Sequence, residues 1–412
     1  MIHYEEFRLA NGLQVIVHED PNSMQVCLNL LYQVGSRNEN SERTGFAHLF
    51  EHLMFGGSKN ISNFDVPLQA VGGDNNAFTS NDFTNYYTTI PSTNVETAFW
   101  LESDRMLSLS FDPEVLEVQR SVVIEEFKER YLNQPYGDVW LKLRPLAYKK
   151  HPYRWATIGR EISHIEKATM DDVKDFFGRF YGPNNATLVL AGGISLKEAK
   201  RLSEKWFGPI PSIDVDKKII RQEPKQQEHR FLEISADVPS KALYKAFHIP
   251  GRSDKKYHAS DLLSDLLGRG KSSSLYRELV NDQPMFHSIS AYVLGCVDPG
   301  LLIIEGKLKD GTSFDAAEQG VAKVIQSVLD GAVTDESVER IKCQAESSIA
   351  FGEAELLNRA FGLAFSAMLG DPDLINKELE AVQAVTKANL LDQAQELLRE
   401  NNMTTLHYHK AN

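Results

Sequence analysis

Two homologous α+β domains are the architecture this sequence predicts, each an α/β sandwich in which helices pack on a mixed, antiparallel-rich sheet. Three observations carry that expectation. At 412 residues the chain exceeds what one ordinary hydrophobic core fills. Strand-period and helix-period segments are interleaved along it, and the order of elements in the first half recurs in the second, which argues for internal duplication. A polar, charge-rich stretch separates the halves, so the first domain is placed at 1–212, a connector at 213–228 and the second domain at 229–412.

Residues 7–17 read as two alternating strands around Asn11-Gly12, a hairpin signal. A third strand is expected at 25–33. From 44 to 54 the period becomes helical, and the Gly72-Gly73 turn then leads to strands at 77–79 and 85–90. Helices are expected over 93–109, 114–131 and 169–180, and the apolar run 186–191 is a buried strand that closes the first domain. The second half repeats this order: strands at 231–234 and 242–248, a helix at 258–267, two further strands, then a helix at 390–399 and a strand at 404–407. Asn401-Asn402-Met403-Thr404-Thr405-Leu406 echoes Asn184-Asn185-Ala186-Thr187-Leu188. The helix at 258–267 holds no histidine pair, so only the first copy is expected to carry chemistry.

Hydrophobic residues make up 42% and charged residues 25% of the chain, a globular balance, and no apolar run is long enough to span a bilayer. A net charge of −13 and a pI near 5.5 argue against a nucleic-acid surface, which needs clustered Lys and Arg. Cys27, Cys296 and Cys343 are odd in number and widely spaced, so neither a disulfide framework nor a thiolate metal site is expected. The acidic start lacks the apolar core of a secretion signal, which points to the cytoplasm, or to the periplasm if a signal was removed.

His48-Leu49-Phe50-Glu51-His52 places two imidazoles four residues apart, about 6 Å between Cβ atoms on one helical face. A hydrolytic zinc site needs three protein ligands and an open position for water. Zinc is preferred to magnesium or calcium because imidazole nitrogen suits it. Glu51, three residues after His48, is placed to take a proton from a zinc-bound water as general base. The competing reading of this pentapeptide is an amphipathic helix with two surface histidines. A second helix, Val122-Val123-Ile124-Glu125-Glu126-Phe127, offers the missing ligand. Glu126 has Val122 and Val123 at i−4 and i−3, whereas Glu125 shares its face with Val118 and Ser121, and periodicity favours Glu126 only modestly. The histidines at His151, His164, His229 and His287 lack ligand spacing and are read as surface or structural.

With these residues the sequence resembles the inverted-zincin family of pitrilysin, insulin-degrading enzyme and mitochondrial processing peptidase. The resemblance extends to Leu9-Ala10-Asn11-Gly12-Leu13, Gly35-Ser36-Arg37-Asn38-Glu39, Gly45-Phe46-Ala47 and Tyr181-Gly182-Pro183-Asn184-Asn185, and as a whole it covers nearly the entire chain. It implies one zinc per chain held by His48, His52 and Glu126, the last lying 74 positions after His52. It also implies that the strand around Gly72-Gly73-Asp74-Asn75-Asn76-Ala77 binds the substrate backbone at Asn76 and Ala77, by addition of an extended peptide to a sheet edge. Two positions depart from the family's pattern. Gln119 stands where many relatives carry a glutamate, and Val280 and His287 stand where an arginine and a tyrosine help hold substrate. The expected function is a zinc metalloendopeptidase acting on peptides or unstructured polypeptides, as a dimer or as a hetero-oligomer whose other chain supplies the Arg/Tyr pair. The alternative is a non-catalytic peptide-binding or scaffold subunit of the same fold, since the family includes such subunits; these lack the full ligand set.

Overall fold

The computed structural model describes residues 1–215 and 219–411. Among the described residues no helix is long and apolar enough to cross a membrane. Among the described residues eleven strands form two sheets. The first holds β1 (Glu5–Arg8), β2 (Gln14–Glu19), β3 (Gln25–Tyr32), β4 (Asp74–Thr79), β5 (Thr84–Pro91) and β6 (Ala186–Gly192), in the order β1-β2-β6-β3-β5-β4. The second holds β7 (Arg230–Ala236), β8 (Ala242–His248), β9 (Phe286–Leu294), β10 (Leu301–Leu308) and β11 (Met403–Lys410), in the order β7-β11-β8-β10-β9.

Set aside β1, and the two orders are the same. Even the parallel pair recurs: β2 with β6 in the first sheet, β7 with β11 in the second. A short 3-10 turn precedes each closing strand, Pro183–Asn185 before β6 and Glu400–Asn402 before β11. The expected α+β duplication is therefore present at the level of topology. The central strands of the first sheet are buried on both faces, β6 along its whole length, because helices cover both sides.

Two helices that the sequence periodicity does not announce complete the sheets, and each comes from the other half of the chain. The compact units are residues 1–129, 155–221 and 350–377 for the first, and 130–154, 222–349 and 378–412 for the second. In the first unit the helix Leu356–Met368 packs on β3 and β6, where Ala360, Leu363 and Ala364 meet Ile16, Cys27, Leu31, Val189 and Ala191. In the second unit the helix Val139–Ala147 packs on β7, β8 and β11, where Val139, Leu143 and Ala147 meet Ala242, Tyr244, Leu406 and Tyr408. A single boundary at 213–228 does not describe units built this way.

Residues 216–218 of the expected connector lie outside the described residues. Its later part is anchored rather than free. Glu223 accepts hydrogen bonds from the backbone amides of Lys149, Lys150 and His151 at 2.8, 2.7 and 2.9 Å. Gln226 is buried and donates to Met403 O at 2.7 Å.

Candidate metal centre

The pentapeptide lies on the helix Phe46–Leu53. Its apolar face, Phe46, Ala47, Leu49, Phe50 and Leu53, is buried, which turns His48, Glu51 and His52 the other way. Behind it, Phe50 stacks on Tyr181 with ring centroids 5.0 Å apart and meets Phe176 at a tilt, 5.1 Å away. Burial, with the nearby Glu51 adding to it, pushes the Tyr181 phenol above its ordinary range, so this support stays neutral.

The start of the helix is fixed by Glu39, which no local pattern in the sequence marks as functional. Glu39 Oε2 accepts from Gly45 N at 2.9 Å and Oε1 from Ala47 N at 2.8 Å, while the Trp155 indole donates to Oε2 at 3.0 Å. These are orphan amides of a helix N-terminus, and a carboxylate there also meets the favourable end of the dipole. Although Glu39 as a whole is half-exposed, enclosure of its carboxyl pushes the pKa up to about 8 against those donors. Gly45 has φ +88°, and a Cβ there would come within 2.6 Å of Ile158 O, so only glycine fits.

Glu126 lies near the end of the second helix, Pro113–Phe127, which packs against the first. The expectation for its face needs correction in part: Val123 is fully buried, but Val122 is 44% exposed, so the buried stripe runs through i−3 and not i−4. Glu125 points to solvent beside Lys128, with its side chain 71% exposed. Gln119, two turns before Glu126, is half-buried.

The structure brings His48, His52 and Glu126 together. Glu126 Oε2 lies 3.6 Å from His48 Nε2 and 3.3 Å from His52 Nε2. The imidazoles stand nearly perpendicular, centroids 4.8 Å apart at 78°, and the three candidate donor atoms lie within 4.8 Å of one another. Both carboxylate distances exceed the usual N–H···O range. Ligands about 2.05 Å from a tetrahedral zinc sit about 3.3 Å apart, so this spacing and this N,N,O donor set fit zinc.

Glu51 is on the same helix, and its Oε2 accepts from Thr79 Oγ1 at 2.5 Å. Thr79 closes β4, the last strand of the first sheet, so the candidate base is tied to the sheet edge. Asn76 is exposed and Ala77 half-buried on that strand. The Ala77 amide donates to Asn76 Oδ1 at 2.8 Å, which turns it away from β5 and toward the open edge. In sequence Thr79 looks like any β-branched strand residue; only the fold brings it to Glu51.

The other flagged histidines lie elsewhere. His164 Nδ1 accepts from the Thr44 amide at 3.2 Å, His229 meets Thr405 Oγ1 at 2.9 Å, His151 is buried beside Asp298 at 3.1 Å, and His287 is exposed. Val280 packs against the core of the second unit.

Residues 14–158 match the family model described as Insulinase (Peptidase family M16), and residues 167–344 match one described as Peptidase M16 inactive domain. A zinc protease, PqqE, of Helicobacter pylori is 30% identical over 82% of this chain and 78% of its own length. The chain belongs to the M16 peptidase family. Another M16 relative, an uncharacterized zinc protease of Bacillus subtilis, YmxG, is 25% identical over 84% of this chain and 83% of its own. A solved protease from Helicobacter pylori superposes with a TM-score of 0.93 at 27% identity, covering 99% of this chain and 100% of that one. Membership and these relatives support a metallopeptidase type of function with zinc as the metal. All four residues of the candidate centre fall within the segment matched by the Insulinase model, none within the one described as inactive.

Proposed function

We propose that the chain is a zinc endopeptidase for extended, unstructured peptides, with His48, His52 and Glu126 as ligands to one zinc ion and Glu51 as general base. The observation that carries this reading is the meeting of two imidazoles and a carboxylate from two helices at 3.6 and 3.3 Å, with a second carboxylate on the same helical face. When bound, zinc supplies Lewis-acid polarisation and acidifies a water that it holds.

The protein's own groups do the rest. Glu51 takes the proton of the attacking water and delivers it to the leaving amine. Thr79, by donating to one oxygen of Glu51, fixes the carboxylate's orientation. The open edge of β4 receives the peptide as an added strand, and Asn76 Oδ1 yields the Ala77 amide to a substrate carbonyl. Because Val280 and His287 replace the arginine and tyrosine of the resemblance, the reading includes a partner chain that supplies such a pair. The alternative of a non-catalytic subunit is disfavoured by the complete ligand set.

The test is hydrolysis of a quenched, unstructured peptide. Activity is expected to vanish after dialysis against a chelator and to return with one equivalent of zinc; cleavage that persists in the metal-free protein would end the proposal. A second expectation concerns the edge. Ala77→Pro removes an amide that points away from β5, so the sheet tolerates it, while KM for long peptides rises at least about tenfold and zinc content stays unchanged. An unaltered KM would show that substrate does not pair there.

A further inference from the structure

A second group of potential ligands converges in the second unit. β11 presents His407 and His409 on one side of the strand, two residues apart, and β7 presents Glu233 as the register partner of His407. Glu233 Oε1 lies 3.5 Å from His407 Nδ1 and 3.5 Å from His409 Nε2, and the candidate donor atoms of the three lie within 4.8 Å of one another.

The environment of His407 separates this group from a chance surface cluster. The residue is 7% exposed. Its Nε2 makes a 2.9 Å hydrogen bond to Glu318 Oε1, and the charge of Glu318 is already met by the Lys245 ammonium. In the neutral tautomer that donates Nε2–H to that carboxylate, Nδ1 carries the lone pair. Nδ1 is shut off from solvent, makes no hydrogen bond among the described residues, and points toward Glu233. A carboxylate behind one ring nitrogen and a free lone pair on the other is how metal-binding imidazoles are oriented and made more basic. The ring is also held on two sides: Phe314 stacks on it at 4.0 Å and 8°, and Phe231 meets it edge-on at 4.8 Å. Such clamping lowers the cost of binding because the ligand is already in place.

We propose that Glu233, His407 and His409 form a second metal site, for a divalent ion of the zinc, cobalt or nickel class, independent of the centre at His48. Two imidazole nitrogens and one carboxylate select that class over magnesium or calcium. The Glu233 and His409 side chains are 56% and 36% exposed, so the ion faces solvent and exchanges more readily than one in the first centre. Its structural effect is to fasten the edge strand β7 to β11.

The experiment uses the full chain carrying His48→Ala and His52→Ala, titrated with Co2+ alone and followed by visible absorption and calorimetry. One equivalent is expected to bind, with nitrogen-ligand d–d bands. Adding Glu233→Gln or His409→Ala, both at solvent-facing positions, is expected to weaken binding at least tenfold without altering the circular dichroism spectrum. Should the double variant fail to fold, the unmodified chain serves: two equivalents, falling to one with His409→Ala. Absence of the extra equivalent, or affinity indifferent to Glu233→Gln and His409→Ala, overturns the proposal.

Discussion

Glu51→Gln is expected to bind one zinc per chain as before and to cleave peptide at least about 10³-fold more slowly, a loss of about 4 kcal/mol of transition-state stabilisation. The substitution is nearly isosteric. Its amide oxygen still accepts from Thr79 Oγ1, and it leaves His48, His52 and Glu126 untouched. What disappears is the capacity to take up a proton and return it to the leaving amine. Metal content is the control that makes the result readable: a large rate loss with full zinc occupancy assigns Glu51 to proton transfer. A rate within tenfold of the parent would remove Glu51 from the chemistry.

Glu126→Gln is expected to act at the preceding step, on the metal itself. It takes the only anionic donor from the ligand set, so zinc affinity should fall by more than the roughly 10–100-fold that loss of an outer-shell partner costs, and hydrolysis should fall with it. The neighbouring Glu125→Gln is the matched comparison. Its side chain is 71% exposed and pairs with Lys128, a surface contact that contributes little, so zinc binding and rate should stay within about threefold of the parent. Zinc content after gel filtration, beside a thermal melt, distinguishes lost ligation from lost fold. Equal effects at the two glutamates would refute the ligand assignment.

Much of the scaffold was readable because its signals are local. Strand-like stretches marked β2, β3, β5 and β8, a continuous apolar run marked β6, and the switch to helical period marked the helix that carries His48. The echo between Asn184-Asn185 and Asn401-Asn402 pointed to duplication, and each pair ends a matching turn before β6 and β11. Periodicity was less decisive for Glu126. Val122 and Val123 are equally apolar in sequence, yet only Val123 is buried, because an angular step of about 100° separates adjacent residues and the helix interface is narrow. The helix Val139–Ala147 escaped notice since it is short and contains Pro145. Nothing local to it, or to Leu356–Met368, states which sheet its apolar face covers. Glu39 and Thr79 were illegible as functional residues for a similar reason: a lone acid and a lone threonine acquire a role only when a distant helix end or carboxylate arrives beside them. His407 and His409 did leave a trace, the period-2 spacing that puts both on one side of a strand.

The crossed provenance of Leu356–Met368 and Val139–Ala147 makes the duplicated halves inseparable. A fragment ending at 212 would retain His48, Glu51, His52 and Glu126 but would leave Ile16, Cys27, Leu31, Val189 and Ala191 without the helix that roofs them. Apolar strand faces stripped of their cover favour aggregation over folding. Trimming to a minimal catalytic module, or swapping one half between relatives, therefore breaks the interlock, and any viable shortened version must keep 350–377 attached to the sheet they complete.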